Sequence, residues 1–398
     1  MRLICLGVLT LFSMMSFGSA PTNRYLLLLD SSAPLHRLLQ PNQLLYSEEN
    51  ISVVELPESA IDTWSLAIHE TLKGCGGFID VTERINSGTS AHKIVWNELI
   101  RRQTPKTKRP KLRVEHNHNI QKLVDSASGQ ELWNFLGELT SFPDRSAKTN
   151  NGGKAARFLK QWSKELARGI DLATWFINTD TWVYSGQPSV LATLSGTRPD
   201  LPHVVIGAHF DTFGDDKPGA DDDGSGSAVV METLRAVAQS GAQFERTIDF
   251  IWYAAEERGL VGSSYVVDYF KDHHIQVESA MQFDMVGWDS SEDGSDIFLI
   301  TDYTDESLTD TAEQLLRLYL PDAKIGRTAC GYPCSDHVNW DLAGVPVAYP
   351  FESNFGNMNT RLHTENDKMK FLDPVHATRF ARLALAFLGH EAKLERID

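Results

Sequence analysis

The sequence predicts an α/β protein: a mostly parallel, twisted central sheet with helices on both faces, preceded by a small α+β unit. Three observations carry that expectation. From about residue 115, apolar strand-like runs alternate with amphipathic stretches of helical period, the pattern of a parallel sheet covered on both sides. Histidines and carboxylates follow the strand-like runs, where such sheets bind their ligands. Residues 101–113 are basic, contain proline and have no apolar period, so they read as a linker between two units.

The first 20 residues read as a signal peptide. Arg2 supplies positive charge, Leu3 to Phe17 is apolar, and Gly18-Ser19-Ala20 offers a small-residue cleavage site. That core is too short for a membrane span, and no other stretch approaches about 18 apolar residues. A secreted or periplasmic protein with no membrane partner is expected. In residues 21–100, Tyr25 to Leu29 and Ile51 to Leu56 are strand-like, and Ile61 to Leu72 is helix-like. Exposed basic linkers are where processing proteases cut. Residues 21–114 are therefore expected to be a pro-region removed by an activating protease, with a permanent accessory domain as the alternative.

In residues 115–398, helices are expected over 131–140, 153–167, 224–238, 261–270, 308–320 and 374–388. Strands are expected over 188–194, 203–207, 247–253, 277–285, 297–301 and 345–348. The formal charge is −16; residues 1–20 carry +1 and residues 21–114 carry +2, which leaves −19 on 115–398. That acidity argues against nucleic acid as a partner. Of four cysteines, Cys5 lies in the signal segment and Cys75 is isolated. Cys330 and Cys334 suit a disulfide in an oxidising compartment, with a zinc pair as the alternative.

The chemistry is concentrated at strand ends. His209 follows 203–207, Asp222 lies in an acidic loop before a helix, Glu256 and Glu257 follow 247–253, and Asp284 ends 277–283. His363 lies beyond the last strand. Carboxylates crowded with histidines repel one another unless a cation sits among them, and these donors suit zinc. Three carboxylates and two histidines suit two zinc ions with one carboxylate bridging. Of the adjacent glutamates, one can bind metal while the other stays free as a base. Asp211 can orient His209 by accepting its far ring proton. His116, His118, His273 and His274 fall outside this set and read as surface residues.

These segments resemble the secreted co-catalytic dizinc leucyl aminopeptidases. The motifs are Gly-Ala-His209-Phe-Asp211, Gly-Ala-Asp-Asp222-Asp-Gly-Ser-Gly, Ala-Ala-Glu256-Glu257-Arg-Gly-Leu-Val-Gly-Ser, Phe-Asp284-Met, Cys330-Gly-Tyr332-Pro-Cys334-Ser-Asp-His and Arg-Leu-His363-Thr, and the match covers residues 115–398. The resemblance implies that Asp222 bridges two zinc ions, with Glu257 and His363 completing one site and His209 and Asp284 the other. It implies Glu256 as general base and acid toward a metal-bridging hydroxide, and Tyr332 as hydroxyl donor to the tetrahedral oxyanion. It further implies a Cys330–Cys334 disulfide and a cis peptide between Asp222 and Asp223. An apolar pocket of Met285, Ile300, Tyr349, Phe351, Phe355, Met358 and Leu362 is also implied, with Tyr349 and Met358 departing from the family's pattern. The expectation is a monomeric aminopeptidase acting on peptides with a free, apolar N-terminal residue. A zinc carboxypeptidase or deacylase would need a cation for the substrate carboxylate, and the pocket segments offer only Arg361. A single-zinc glutaminyl cyclase would not need all five ligands.

Overall fold

The computed structural model describes residues 23–28, 40, 42–72, 77–104, 113–179, 186–290, 294 and 296–397. The signal segment, Cys75 and the middle of the basic linker lie outside them. The N-terminal unit is a four-stranded antiparallel sheet of Asn23–Leu28 (β1), Leu44–Glu48 (β2), Ile51–Pro57 (β3) and Ile79–Asp80 (β4), in the order β2-β3-β1-β4. Residues alternate between its faces. Leu26, Leu28, Val54 and Leu56 pack with Ile61, Trp64 and Phe78, while Leu27, Ile51 and Val53 pack with Ile94, Val95 and Leu99. Ala91–Gln103 is a helix, so the reading of residues 101–103 as linker is corrected. Arg101 and Arg102 both pair with the buried Glu98, at the i,i+3 and i,i+4 positions, which holds the last turn closed.

The larger unit has a six-stranded central sheet. Its strands are Leu172–Ile177 (β5), Ser189–Leu194 (β6), His203–His209 (β7), Ile248–Tyr253 (β9), Val277–Gln282 (β10) and Val347–Ala348 (β13), β8 being the short strand Gln243–Phe244. The order is β13-β10-β7-β9-β6-β5. The ladders from β13 to β9 are parallel, and those joining β9 to β6 and β6 to β5 are antiparallel. The sheet is mixed and, as expected, still mostly parallel: β6 alone runs against the other five strands. β5 and β6 are near neighbours in sequence, as an antiparallel pair can be. The strand expected over 297–301 is Ile297–Ile300 (β11). It lies outside the central sheet, between Ile325–Thr328 (β12) and Pro350–Phe351 (β14).

Helices cover both faces. Val204, Ile206, Ala208, Phe250 and Trp252 pack under Gly226–Gln239 and Pro374–Glu391, and Val205, Ile251 and Tyr253 pack under Val261–Asp272 and Trp340. Every residue of β9 is buried, as expected of a strand covered on both sides. Asp373 caps the closing helix by accepting from the Val375 and His376 amides, ahead of Pro374 at its first position.

The two units share a core. Leu27, Val53, Ile79 and Val95 pack against Leu260 and Val338. The Asp80 amide donates to the Gly259 carbonyl and the Gly77 amide to the Pro333 carbonyl, at 2.9 and 3.0 Å. Buried Arg258 pairs with Glu58 at 2.9 Å and with Asp62.

Candidate metal centre and active site

Strands β7, β9 and β10 are adjacent and parallel, so their carboxyl ends open at one edge of the sheet. β7 ends in His209; β9 leads through Ala255 into Glu256 and Glu257; β10 leads through Phe283 into Asp284. Gly219–Ser225 forms an irregular turn before the helix Gly226–Gln239 and carries Asp222. The Asp222–Asp223 peptide is cis, as the resemblance implies. His363 comes from an irregular loop beyond β14. Ala255, Met285 and His363 have φ of 51°, 55° and 58°, a region non-glycine residues seldom occupy and which clusters at functional sites.

The five expected ligands converge as two triads that share Asp222. His209 Nε2 lies 3.2 Å from Asp222 Oδ1 and 3.6 Å from Asp284 Oδ1. His363 Nε2 lies 2.7 Å from Asp222 Oδ2 and 3.2 Å from Glu257 Oε2. One oxygen of Asp222 thus faces each triad, the disposition of a bridging carboxylate. Both oxygens of Asp284 and both of Glu256 are buried with no hydrogen-bond partner, which a polar group tolerates only when something else is bound there. Glu256 belongs to neither triad, and burial pushes its carboxyl well above the usual range. Burial alone would lower the His209 pKa, but Asp284, Glu256, Asp211 and Asp222 outweigh it and raise it.

Asp211 sits beside His209 and also holds two backbone amides. It lies 3.4 Å from His209 Nδ1, and its two oxygens accept from the Glu256 and Glu257 amides at 2.9 and 3.3 Å. It ties the glutamate turn to the end of β7.

All seven expected pocket residues fall in one apolar cluster with Tyr332, Cys330 and Cys334. Cys330 and Cys334 form a disulfide, so the zinc-pair alternative for them is set aside. The Tyr349 hydroxyl donates to the Asp284 carbonyl at 3.1 Å, which fixes it to the backbone of an expected ligand.

A model of peptidase family M28 matches residues 189–388, the span that holds both triads. The chain belongs to peptidase family M28. Leucine aminopeptidase 1 of Leptosphaeria maculans is 31% identical over 374 residues, covering 88% of this chain and 91% of that one. The crystal structure of the LapA aminopeptidase of Legionella pneumophila superposes with a TM-score of 0.83 at 32% identity, covering 94% of this chain and all of that one. A glutaminyl cyclase of Bacteroides thetaiotaomicron, at 16% identity and a TM-score of 0.57, covers 67% of this chain and 98% of its own and shares the fold alone. This M28 chain is a metallo-aminopeptidase.

Several residues that build the M28 site carry no signal of their own in the sequence. Arg145 is fully buried, and its guanidinium donates to the carbonyls of Phe210, Pro218 and Gly219, clamping the loop between His209 and Asp222. Burial lowers its pKa to about 10, so it stays cationic beside Asp367, Asp223, Asp211 and Asp222. Gln187 donates to the Arg145 carbonyl and accepts from the Ala255 amide, joining that clamp to the glutamate turn. Asp367 accepts from the Asp221 and Asp222 amides at 2.9 and 3.0 Å. Asp223 accepts from the Gly226 amide, where a side chain on residue 226 would collide with that carboxylate.

These charges set a pH dependence for the protein stripped of metal. Burial pushes the carboxyl of Asp336 up to about 8 and that of Glu257 up to about 7. Burial opposes the charge on His363, yet Glu257 and Asp222 hold its pKa at about 10. Each group keeps a proton in the folded state that the unfolded chain releases at lower pH. The stability each gives is full below its unfolded pKa and is lost as pH rises toward the folded value. In chelator, the melting temperature is expected to fall between about pH 5 and pH 8. Scanning calorimetry across that window checks it, and a rising melting temperature contradicts it.

Proposed function

We propose that this peptidase is an exported, monomeric enzyme that holds two zinc ions and removes apolar N-terminal residues from peptides. The observation that carries the reading is Asp222, whose two oxygens face separate ligand triads. His209 and Asp284 would hold one ion and Glu257 and His363 the other. Zinc bound there activates water and polarises the scissile carbonyl.

The remaining steps belong to the chain's own residues. Glu256 takes a proton from the attacking water and returns it to the departing amine, as a buried carboxyl with a raised pKa suits. Tyr332, at the wall of the pocket, donates its hydroxyl to the oxyanion. The free N-terminal amine lies near His209 and Asp284. The apolar cluster from Met285 to Leu362 receives the first side chain. Burying a charged side chain there costs several kcal/mol without a partner, whereas one methylene is worth about 1–3 kcal/mol. Arg361, the one cation near the pocket segments, stacks on the rings of Trp288 and Phe371, which counts against a carboxypeptidase reading.

Residues 21–114 are proposed as the pro-region, cut near Arg101 to Lys111 by an activating protease, and residues 1–20 as the export signal. No helix among the described residues is long and apolar enough to cross a membrane.

One set of measurements on exported protein tests the reading. Leucyl and phenylalanyl p-nitroanilides are expected to exceed lysyl and glutamyl in kcat/KM, with activity lost in chelator and two zinc ions per active chain. The mature N-terminus is expected beyond residue 101. One zinc or none on active protein overturns the two-metal site. A lysyl or glutamyl substrate matching leucyl overturns the pocket, and full activity on a chain beginning at Pro21 overturns the pro-region.

A further inference from the structure

The loop from Phe351 to His363 supplies four pocket side chains and one metal ligand, yet only Phe351 belongs to a strand and only residues 355–357 to a short helical turn. What fixes it is a buried hydrogen-bond network reaching the acidic turn. The Asn359 side-chain amide donates to Asp221 Oδ2 at 2.8 Å, and its carbonyl oxygen accepts from the Arg361 amide at 3.1 Å. The Asn359 backbone amide donates to Glu352 Oε1 at 3.2 Å, and the Trp288 amide donates to Glu352 Oε2 at 2.8 Å. The other Asp221 oxygen accepts from the Gly287 amide at 3.0 Å. Asp221, Glu352 and Asn359 are all fully or almost fully buried.

The network spans the pocket. Asp221 precedes the bridging Asp222, Glu352 follows Phe351, Asn359 follows Met358, and Gly287 and Trp288 lie just beyond Met285. Buried hydrogen bonds of this kind fix geometry because breaking one strands its partner in a low-dielectric interior.

We propose that Asn359 is a specificity-positioning residue: its amide, bonded to Asp221, holds the Met358–His363 wall of the pocket at a set distance from the bridging aspartate. It acts through Met358, Leu362 and His363 and does not touch the reacting atoms. Asn359 and Glu352 thereby decide how deep a side chain the pocket accepts. The proposal rests on the aminopeptidase reading above.

The test uses the full chain and the substitution Asn359→Asp, which keeps the shape and, once ionised, cannot donate to Asp221, so it is assayed at alkaline pH beside wild type. KM for leucyl p-nitroanilide is expected to rise by roughly tenfold, the scale on which an apolar pocket reads a methylene. The leucyl-over-alanyl preference is expected to fall by a similar factor. Hydrogen exchange of residues 352–363 in chelator is expected to quicken, a readout that needs neither metal nor turnover. The double swap Asp221→Asn with Asn359→Asp reverses donor and acceptor, and it is expected to restore both the KM and slow exchange. If Asn359→Asp does not fold, Asn359→Ser carries the same expectations. Unchanged KM, preference and loop exchange in the single variant overturn the proposal, as does a swap that restores nothing. A wild-type chain without leucyl preference, but with exchange that the single variant quickens and the swap slows, overturns the substrate reading and upholds the positioning network.

Discussion

Replacing Glu256 with glutamine is expected to lower kcat by about 10²–10⁴-fold while leaving the bound metal and the fold in place. Glutamine keeps the size of the side chain and removes its capacity to take and return a proton. Glu256 lies outside both ligand triads, so zinc content has no reason to fall. Its backbone amide, not its side chain, bonds to Asp211, so the turn that carries Glu257 is held as before. Steady-state kinetics on leucyl p-nitroanilide with metal analysis of the same sample check this. A variant with near wild-type kcat would remove Glu256 from the mechanism, and loss of zinc would make it a ligand.

The second large effect is on stability. Arg145→Met fills much of the same space and supplies no donors. The carbonyls of Phe210, Pro218 and Gly219 then lose their partner in the interior. A stranded buried polar group costs about 1–3 kcal/mol, and the costs do not simply add, so a loss of about 3–5 kcal/mol is expected. Withdrawing the cation also leaves Asp211, Asp222, Asp223 and Asp367 more strongly opposed to one another when metal is absent. Urea unfolding in chelator is the measurement, read as a shift in midpoint at unchanged slope. A loss below about 1 kcal/mol would mean that water replaces the guanidinium at those carbonyls.

The ligands were legible because they obey a rule of local sequence. Each of His209, Glu257 and Asp284 follows a strand whose apolar residues announce it, and a parallel sheet brings such ends together. Arg145, Gln187, Asn359 and Asp367 obey no such rule. Their partners are backbone atoms far along the chain, and any soluble protein has arginines and asparagines that look the same in one dimension. Asp211 shows the limit in a single residue: its nearness to His209 is written in the spacing, while its bonds to the Glu256 and Glu257 amides exist only once β7 and β9 pair. The elements missed were of the same kind. Leu172–Ile177 is an edge strand whose burial does not alternate cleanly, and Ala91–Gln103 exposes Trp96 and Ile100 and ends in basic residues that mimic a linker. The reversal of β6 within the sheet was missed because strand direction depends on the connection, not on the strand.

The core shared by the two units, with Leu260 and Val338 set among the side chains of the N-terminal sheet, separates two events that a pro-region invites one to merge. A cut in the proposed basic segment severs one peptide bond and leaves every one of those contacts standing. The halves would travel together through a sizing column for as long as those contacts hold. Departure of the smaller half would uncover Leu260 and take Glu58 and Asp62 from Arg258, one residue from Glu257. Scission and departure therefore have different rates, and the slower one, set by the lifetime of a noncovalent complex, governs how soon the turn bearing the glutamates stands without its neighbour.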